Sequence, residues 1–256
     1  MIDSPSFGKV PAATLSFWVL KIFATTLGET GGDAVTMSMG LGYWIGTAIF
    51  AAIFLVAVSA QIATSRFRPF LFWTVIVATT TVGTTLADLL DRSLGIGYLG
   101  GSAILVFLLF STIAVWHRAL GSVSIASIAS RKAEAFYWVT ILFSQTLGTA
   151  LGDWMADSET GLGLGYEGGA ALFAGALVLV GAGYYFTKLS RTFLFWAAFI
   201  LTRPLGAMVG DLLDKPHASG GLALSRYTAS AVLAAVIILG ITLMPQRAEK
   251  TVTVNA

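Results

Sequence analysis

Asp33, Asp88, Asp153 and Asp211 each follow a tryptophan by fifteen residues, and each has a second carboxylate three or four residues away: Glu29, Asp91, Asp157 and Asp214 in turn. Residues at that spacing share one face of a helix. With threonine hydroxyls at Thr25, Thr80, Thr84 and Thr149 they form an oxygen-only environment, which suits magnesium, calcium or manganese and suits soft metals poorly. The chain has no cysteine, so any metal must be held by oxygen or imidazole. The principal metal candidates are therefore Glu29, Asp33, Asp88, Asp153 and Asp211. Asp91, Asp157, Asp214 and the imidazole of His217 are secondary ones.

The elements that must position these groups are repeated. Trp18/Gly28/Asp33, Trp73/Gly83/Asp88, Trp138/Gly148/Asp153 and Trp196/Gly206/Asp211 share one register, which takes in four of the seven tryptophans. A fourfold internal repeat follows. The 256 residues are 56% hydrophobic and only 11% charged, and the mean hydropathy of +0.83 lies far above that of a soluble domain. Apolar stretches of about 20 residues, the length that crosses ~30 Å of hydrocarbon, fall at roughly 12–35, 41–62, 70–90, 99–117, 135–155, 167–187, 192–213 and 224–244. The expected fold is thus all-α: a polytopic membrane protein of eight transmembrane helices, arranged as four parallel two-helix repeats about an axis along the membrane normal. Its divisions are residues 1–68, 69–120, a linker at 121–134, 135–190 and 191–256.

Lys9, Arg66, Arg68, Arg118, Arg131, Lys132, Lys188, Arg191, Arg247 and Lys250 lie on one set of connections, which places those loops and both termini in the cytoplasm. The opposite connections are acidic. The opening MIDSPSFGKVP lacks the basic and apolar regions of a secretory signal, so no cleavage is expected. The repeat tryptophans read as anchors in the interfacial belt.

Counted from each tryptophan, positions ten and fourteen are Gly28/Gly32, Gly83/Ala87, Gly148/Gly152 and Gly206/Gly210. This small-xxx-small spacing marks a tight helix–helix seam, within one chain or across a homodimer. On a neighbouring face, positions seven, eleven and fifteen form a polar stripe: Thr25, Glu29, Asp33; Thr80, Thr84, Asp88; Gln145, Thr149, Asp153; Arg203, Ala207, Asp211. Polar groups are costly in hydrocarbon, so four stripes should face a common interior path, although the threonines could equally bond back to their own helices. Lys21, Glu29 and Arg203 lie deepest and break the fourfold equivalence.

The segments TTLGETGGD at 25–33, TLGTALGDWMAD at 146–157 and RPLGAMVGDLLD at 203–214 give the chain its resemblance to a bacterial family of integral membrane proteins. These proteins are described as membrane-anchored and built from four copies of a repeat of unknown function, and some members are associated with manganese homeostasis. The resemblance runs from about Phe17 to Met244. It implies that Glu29, Asp33, Asp88, Asp153 and Asp211 contribute to a cation path, and it favours export. Repeat four departs from the pattern with Arg203 and Pro204, so a counter-ion or gate is expected in place of a plain fourfold pore.

No phosphate-binding loop, HExxH, GxSxG or Ser/His/Asp grouping occurs, so no enzymatic activity is expected. The leading expectation is a transporter of a divalent metal cation, above all manganese, in a bacterial cytoplasmic (inner) membrane. The lipid bilayer and the metal ion would be its partners, with no permanently bound cofactor and no nucleic acid. Thr25, Thr80, Gln145, Arg203 and Lys21 would join the carboxylates along the path. The alternatives are a permease for an organic or anionic solute that uses Lys21 and Arg203, or a membrane scaffold or sensor that transports nothing.

Overall fold

The computed structural model describes residues 7–128 and 130–250. In chain order these form β1 (Phe7–Pro11), α1 (Leu15–Asp33), α2 (Gly42–Ala63), α3 (Pro69–Asp88), α4 (Gly97–Leu120), α5 (Arg131–Ala156), α6 (Gly165–Phe186), α7 (Arg191–Asp214), α8 (Arg226–Leu243) and β2 (Ala248–Lys250). Local chemistry sets the boundaries. Thr14, Ser130, Ser190 and Ser225 cap α1, α5, α7 and α8 through their hydroxyls, and Pro69 occupies the first turn of α3. The connection between α4 and α5 is shorter than expected, because α5 begins at Arg131 and takes in Glu134.

The sharp turn into each even-numbered helix depends on left-handed backbone. Gly40 and Gly42 have φ of +69° and +71°, and Gly95/Gly97 and Gly163/Gly165 repeat the pair. In repeat four Ala223 stands at the position of the first glycine with φ of +54°. Among the described residues it is the sole non-glycine at positive φ, a conformation that costs an L-residue about 1–2 kcal/mol.

The odd-numbered helices α1, α3, α5 and α7 close into a ring, each packed on the next and α7 on α1. Glycine permits the approach, and a specific handover fixes it. Gly28 lies on Thr80, Gly83 on Gln145, Gly148 on Arg203 and Gly206 on Thr25, so position ten of every repeat receives position seven of the following one. Position fourteen does the same one turn along, with Gly32 on Thr84, Gly152 beside Ala207 and Gly210 on Glu29. The small-residue seam and the polar stripe are thus two sides of one interface. All of these glycines are buried inside the chain, which leaves none of them for a contact between two chains.

The even-numbered helices form an outer layer, and each crosses to its neighbour: α2 lies on α3, α4 on α5, α6 on α7 and α8 on α1. A repeat therefore gives its second helix to the next repeat and is not a self-contained hairpin. The most apolar window of α3 is 72% buried in the protein and that of α6 only 11%, which separates the inner layer from the outer. Outward faces carry Ile49, Leu55, Phe107, Phe110, Leu179 and Leu239, all exposed. Six of the eight helices are long and apolar enough to cross a membrane. With that apolar exterior, the chain is a helical membrane protein. An antiparallel pairing of β1 with β2 ties the two ends of the chain together where repeat four meets repeat one.

Candidate functional site

The ring is built in layers, one helical turn apart. At position zero and the residue before it, the layer is aromatic: Phe17 and Trp18, Phe72 and Trp73, Tyr137 and Trp138, Phe195 and Trp196. Ring centroids within this cluster lie 5.0–6.5 Å apart. Trp73 and Trp138 are each 1% exposed and Trp196 6%. For these three residues this corrects the expectation of lipid-interface anchors. Trp73, Trp138 and Trp196 pack on the aromatic residues that precede the repeat tryptophans and form an aromatic plug at the end of the bundle that carries the termini, whereas Trp18 is half-buried against Phe17 and Phe195. An indole packs as well against other aromatic rings as at a headgroup, and only closure of the ring decides between the two.

Position three adds Lys21, Ile76, Ile141 and Phe199, all fully buried. The Lys21 ammonium donates to the Phe199 carbonyl at 3.0 Å and to Thr202 Oγ1 at 2.5 Å, and lies 3.9 Å from the Phe199 ring centroid. Position seven holds Thr25, Thr80, Gln145 and Arg203. Thr25 donates to its own helix at Ile22, as a membrane threonine commonly does, whereas Thr80 Oγ1 and both polar atoms of Gln145 have no partner.

Arg203 accounts for position eleven. Its NH2 donates to Glu29 Oε2 at 2.8 Å, to Thr84 Oγ1 at 2.5 Å and to Thr149 Oγ1 at 2.5 Å. Those are the position-eleven residues of the other three repeats. Repeat four has Ala207 there, and Arg203 reaches from one turn earlier into the space that the alanine leaves. A guanidinium thus sits on the ring axis, paired with the one carboxylate in its layer.

Position fifteen completes the ring with Asp33, Asp88, Asp153 and Asp211, all buried. Two cations divide the four aspartates into pairs. Arg92 bridges Asp88 at 3.0 Å and Asp153 at 3.2 Å, and Lys215 bridges Asp33 and, at 3.1 Å, Asp211. Burial works against the Lys215 ammonium, but Asp211, Asp33 and Asp214 outweigh it and hold this lysine well above its ordinary range. Arg226 joins Asp214 at 3.1 Å and approaches Asp33 at 3.7 Å. Seven buried carboxylates, Glu29, Asp33, Asp88, Asp91, Asp153, Asp211 and Asp214, face Arg92, Arg203, Lys215 and Arg226. Carboxylates thus outnumber cations in the site.

One group of these carboxylates converges. Glu29, Asp33 and Asp211 each place an oxygen within 4.8 Å of the others, and Asp33 Oδ1 has no hydrogen-bond partner. The residues come from α1 and α7, across the interface that Gly206 and Gly210 bring together. Asp88 and Asp153 form the opposite half of the ring around Arg92.

The secondary candidates separate from this group. Asp91 is buried against Gly101 of α4 with neither oxygen partnered, and Asp214 is held by Arg226. Asp157 folds its own turn by accepting from the amides of Thr160 at 2.6 Å and Glu159 at 2.9 Å. The Thr160 amide above all, with Thr160 Oγ1 and the Glu159 and Gly161 amides, holds its carboxyl below the usual range. His217 is exposed and its Nδ1 pairs with the Gly221 carbonyl at 2.8 Å. These two residues belong to their loops and not to the ring.

Sequence reasoning undervalued three groups. Arg92 and Lys215 both fall nineteen residues after their tryptophans, a shared register that marks them as ring members. Glu134, within the expected linker at 121–134, is fully buried. It pairs with Lys9 and accepts from Gln61 Nε2 at 3.3 Å, fastening β1 to α2 and α5.

The family comparison addresses the repeat directly. A family model described as Repeat of Unknown Function (DUF347) matches residues 16–67, 71–121, 136–190 and 194–248. The chain belongs to the DUF347 repeat family. Each DUF347 copy contains one inner helix, with its tryptophan, seam glycine and ring aspartate, and the outer helix that covers the next inner one. No curated protein and no solved structure matches the chain.

Proposed function

We propose that this DUF347 protein carries a divalent metal cation across a bacterial cytoplasmic membrane, with manganese as the favoured ion and export as the favoured direction. The convergence of Glu29, Asp33 and Asp211 carries the reading. Hard cations take oxygen ligands at about 2.0–2.6 Å, so two oxygens on one ion lie up to about 4–5 Å apart, and the 4.8 Å limit of this trio falls in that range. An all-carboxylate set with hydroxyls nearby matches the oxygen preference of manganese and magnesium. The surplus of buried carboxylates supplies the attraction that a dication needs to leave water. The metal is cargo here, not a resident cofactor.

In this reading all eight helices span the bilayer. α1 and α5 carry lower hydropathy because they bring Lys21, Glu29, Asp33, Gln145 and Asp153 to the axis. The end rich in lysine and arginine faces the cytoplasm, so both termini lie inside and the aspartate ring faces out. The half-exposed Arg92 lies at that outer mouth. A guanidinium on the axis at position eleven and aromatic rings at position zero close the path at two levels, which favours a carrier over an open channel. Arg203 is already held by Glu29, and Lys21 by Phe199 and Thr202, so a cation cargo fits better than an anionic one.

A strain lacking the gene, grown against a panel of metals with cellular metal measured by mass spectrometry, tests the proposal. Complementation by Glu29→Gln or Asp33→Asn should be lost, while Asp157→Asn and His217→Ala should complement. Full complementation by both Glu29→Gln and Asp33→Asn, in inserted protein, defeats the metal reading and favours a scaffold.

A further inference from the structure

Lys21 is the one buried cation of the axis without a carboxylate. Its side chain is fully buried, and among the described residues no acidic oxygen lies within 4.0 Å of its nitrogen. Its partners are a carbonyl, a hydroxyl and the face of Phe199. Thr202, which accepts from Lys21, immediately precedes Arg203 in α7. On its own helix the nearest carboxylate is Glu29, eight residues and ~12 Å along the axis, and Arg203 holds it. α3 and α5 present Ile76 and Ile141 at the same level, and their own acids, Asp88, Glu134 and Asp153, stand at their ends. Arg226 and Tyr227 of α8 lie at its far end. Neutral acceptors alone hold this ammonium, and no carboxylate fixes its proton in place.

A route for that proton exists. A cleft of about 840 Å³ lies between α1, α6, α7 and the segment 124–126, and Thr202 and Ile22 line it. Thr202 is itself 1% exposed and accepts from Lys21 at 2.5 Å. The amine is therefore one hydrogen bond from an opening at the end of the bundle that carries the termini, while the carboxylates lie toward the other end.

We propose that Lys21 is the proton carrier that couples metal movement to proton counter-movement, an inference that rests on the divalent-cation reading above. Arg203 links the two sites. With the metal absent, its charge is offset by Glu29. A dication bound by Glu29, Asp33 and Asp211 competes for that carboxylate and leaves the guanidinium uncompensated beside Lys21. Thr80 Oγ1 and Gln145 Oε1, both without partners in the layer of Arg203, can accept its free Nε and NH1 hydrogens. Lys21 answers by releasing a proton: an Nζ–H bond breaks, its electron pair stays on nitrogen, and the proton passes to a water in the cleft beside Thr202, giving hydronium. Departure of the metal to the outer face returns Arg203 to Glu29 and lets Lys21 take up a proton from that face along the polar axis, so each cycle moves one proton inward.

The test uses the full chain in liposomes, with Mn²⁺ as the probe, a metal-quenched dye and a pH dye. Wild type should move protons against Mn²⁺, and the ratio of protons to Mn²⁺ should fall at least tenfold in Lys21→Met. Lys21→Arg keeps a cation that holds its proton throughout, and it should lower the ratio as far, so the test survives if the methionine variant misfolds. A metal-binding defect alone would change both fluxes together and leave the ratio intact. Mn²⁺ flux in wild type without proton movement beyond that of protein-free vesicles overturns the coupling and leaves the metal reading standing. An undiminished ratio in either variant does the same. Absence of Mn²⁺ flux in wild type overturns both.

Discussion

Replacing Arg203 by methionine removes the charge that plugs the ring and keeps most of its volume. The guanidinium is fully buried and its carboxylate partner is 3% exposed, so loss of one member leaves a buried charge with no counter-ion. Such losses cost about 3–5 kcal/mol. For a chain of this size 1 kcal/mol moves the unfolding midpoint by roughly 2–4 °C, so Arg203→Met should unfold about 6–20 °C below wild type in detergent. The buried tryptophan cluster provides the fluorescence signal. Glu29→Gln should cost a similar amount, because it strands the guanidinium, and the double variant should fall short of the sum by about 1–3 kcal/mol. Metal adds an independent check. With Glu29 freed from Arg203, Mn²⁺ should restore Arg203→Met by about 2.7 kcal/mol at a hundredfold excess over its Kd, and should leave Glu29→Gln nearly unmoved. A midpoint for Arg203→Met within 1 °C of wild type, or strict additivity in the double variant, would refute the view that this pair holds the axis.

Three further outcomes follow from the packing. Gly206→Leu drives a side chain into Thr25 and the α1 backbone and should abolish the folded, monodisperse peak in size-exclusion chromatography, whereas the same change at the open Gly175 should leave it intact. Ala223→Gly relieves a left-handed alanine at φ +54° and should raise stability by about 1 kcal/mol, with a drop in the midpoint ruling out strain at that turn. Lys215 has a folded pKa above its unfolded one, so its contribution is complete below about pH 10.4 and fades only as pH rises through the higher folded value. Midpoints measured from pH 9 to 11.5 should thus decline more steeply in wild type than in Lys215→Met, which lacks the titrating ammonium, and equal slopes would mean that the lysine is unpaired.

The repeat was legible because its marks are local: a tryptophan, a glycine and an aspartate in fixed register, with threonine or charge at four-residue intervals. Helix periodicity then placed Thr25, Glu29 and Asp33 on one face without knowledge of any neighbour. What lay across from that face was not legible. The seam glycine of one repeat meets position seven of the next, and the outer helix of one covers the inner helix of the next. Both are relations between copies, and each copy carries the same pattern whether it packs on itself or on its neighbour. The tryptophans were misread for the same reason, since an indole at a helix end is equally at home in a headgroup layer or an aromatic plug. Asp157 and His217 looked like ligands by proximity in sequence, but turn geometry gave each a backbone partner first.

The departure of repeat four from its siblings is a compensated pair of changes, and that bears on mechanism. Fourfold symmetry would place four polar groups at position eleven around an axis with nothing on it. Ala207 removes one of them, and Arg203, one turn earlier, fills the gap with a cation that binds the remaining three. Pro204 helps by taking an amide out of α7 beside it, so the helix can yield where the guanidinium enters. Glu29 in repeat one supplies the matching charge. Either change alone is costly, since a lone buried guanidinium or carboxylate costs several kcal/mol. Together they replace a continuous polar axis with a salt bridge, which under the proposed function a dication opens by competing for Glu29. A pore needs no such bridge. A carrier, as proposed here, does, because something must close its path when the cargo is absent.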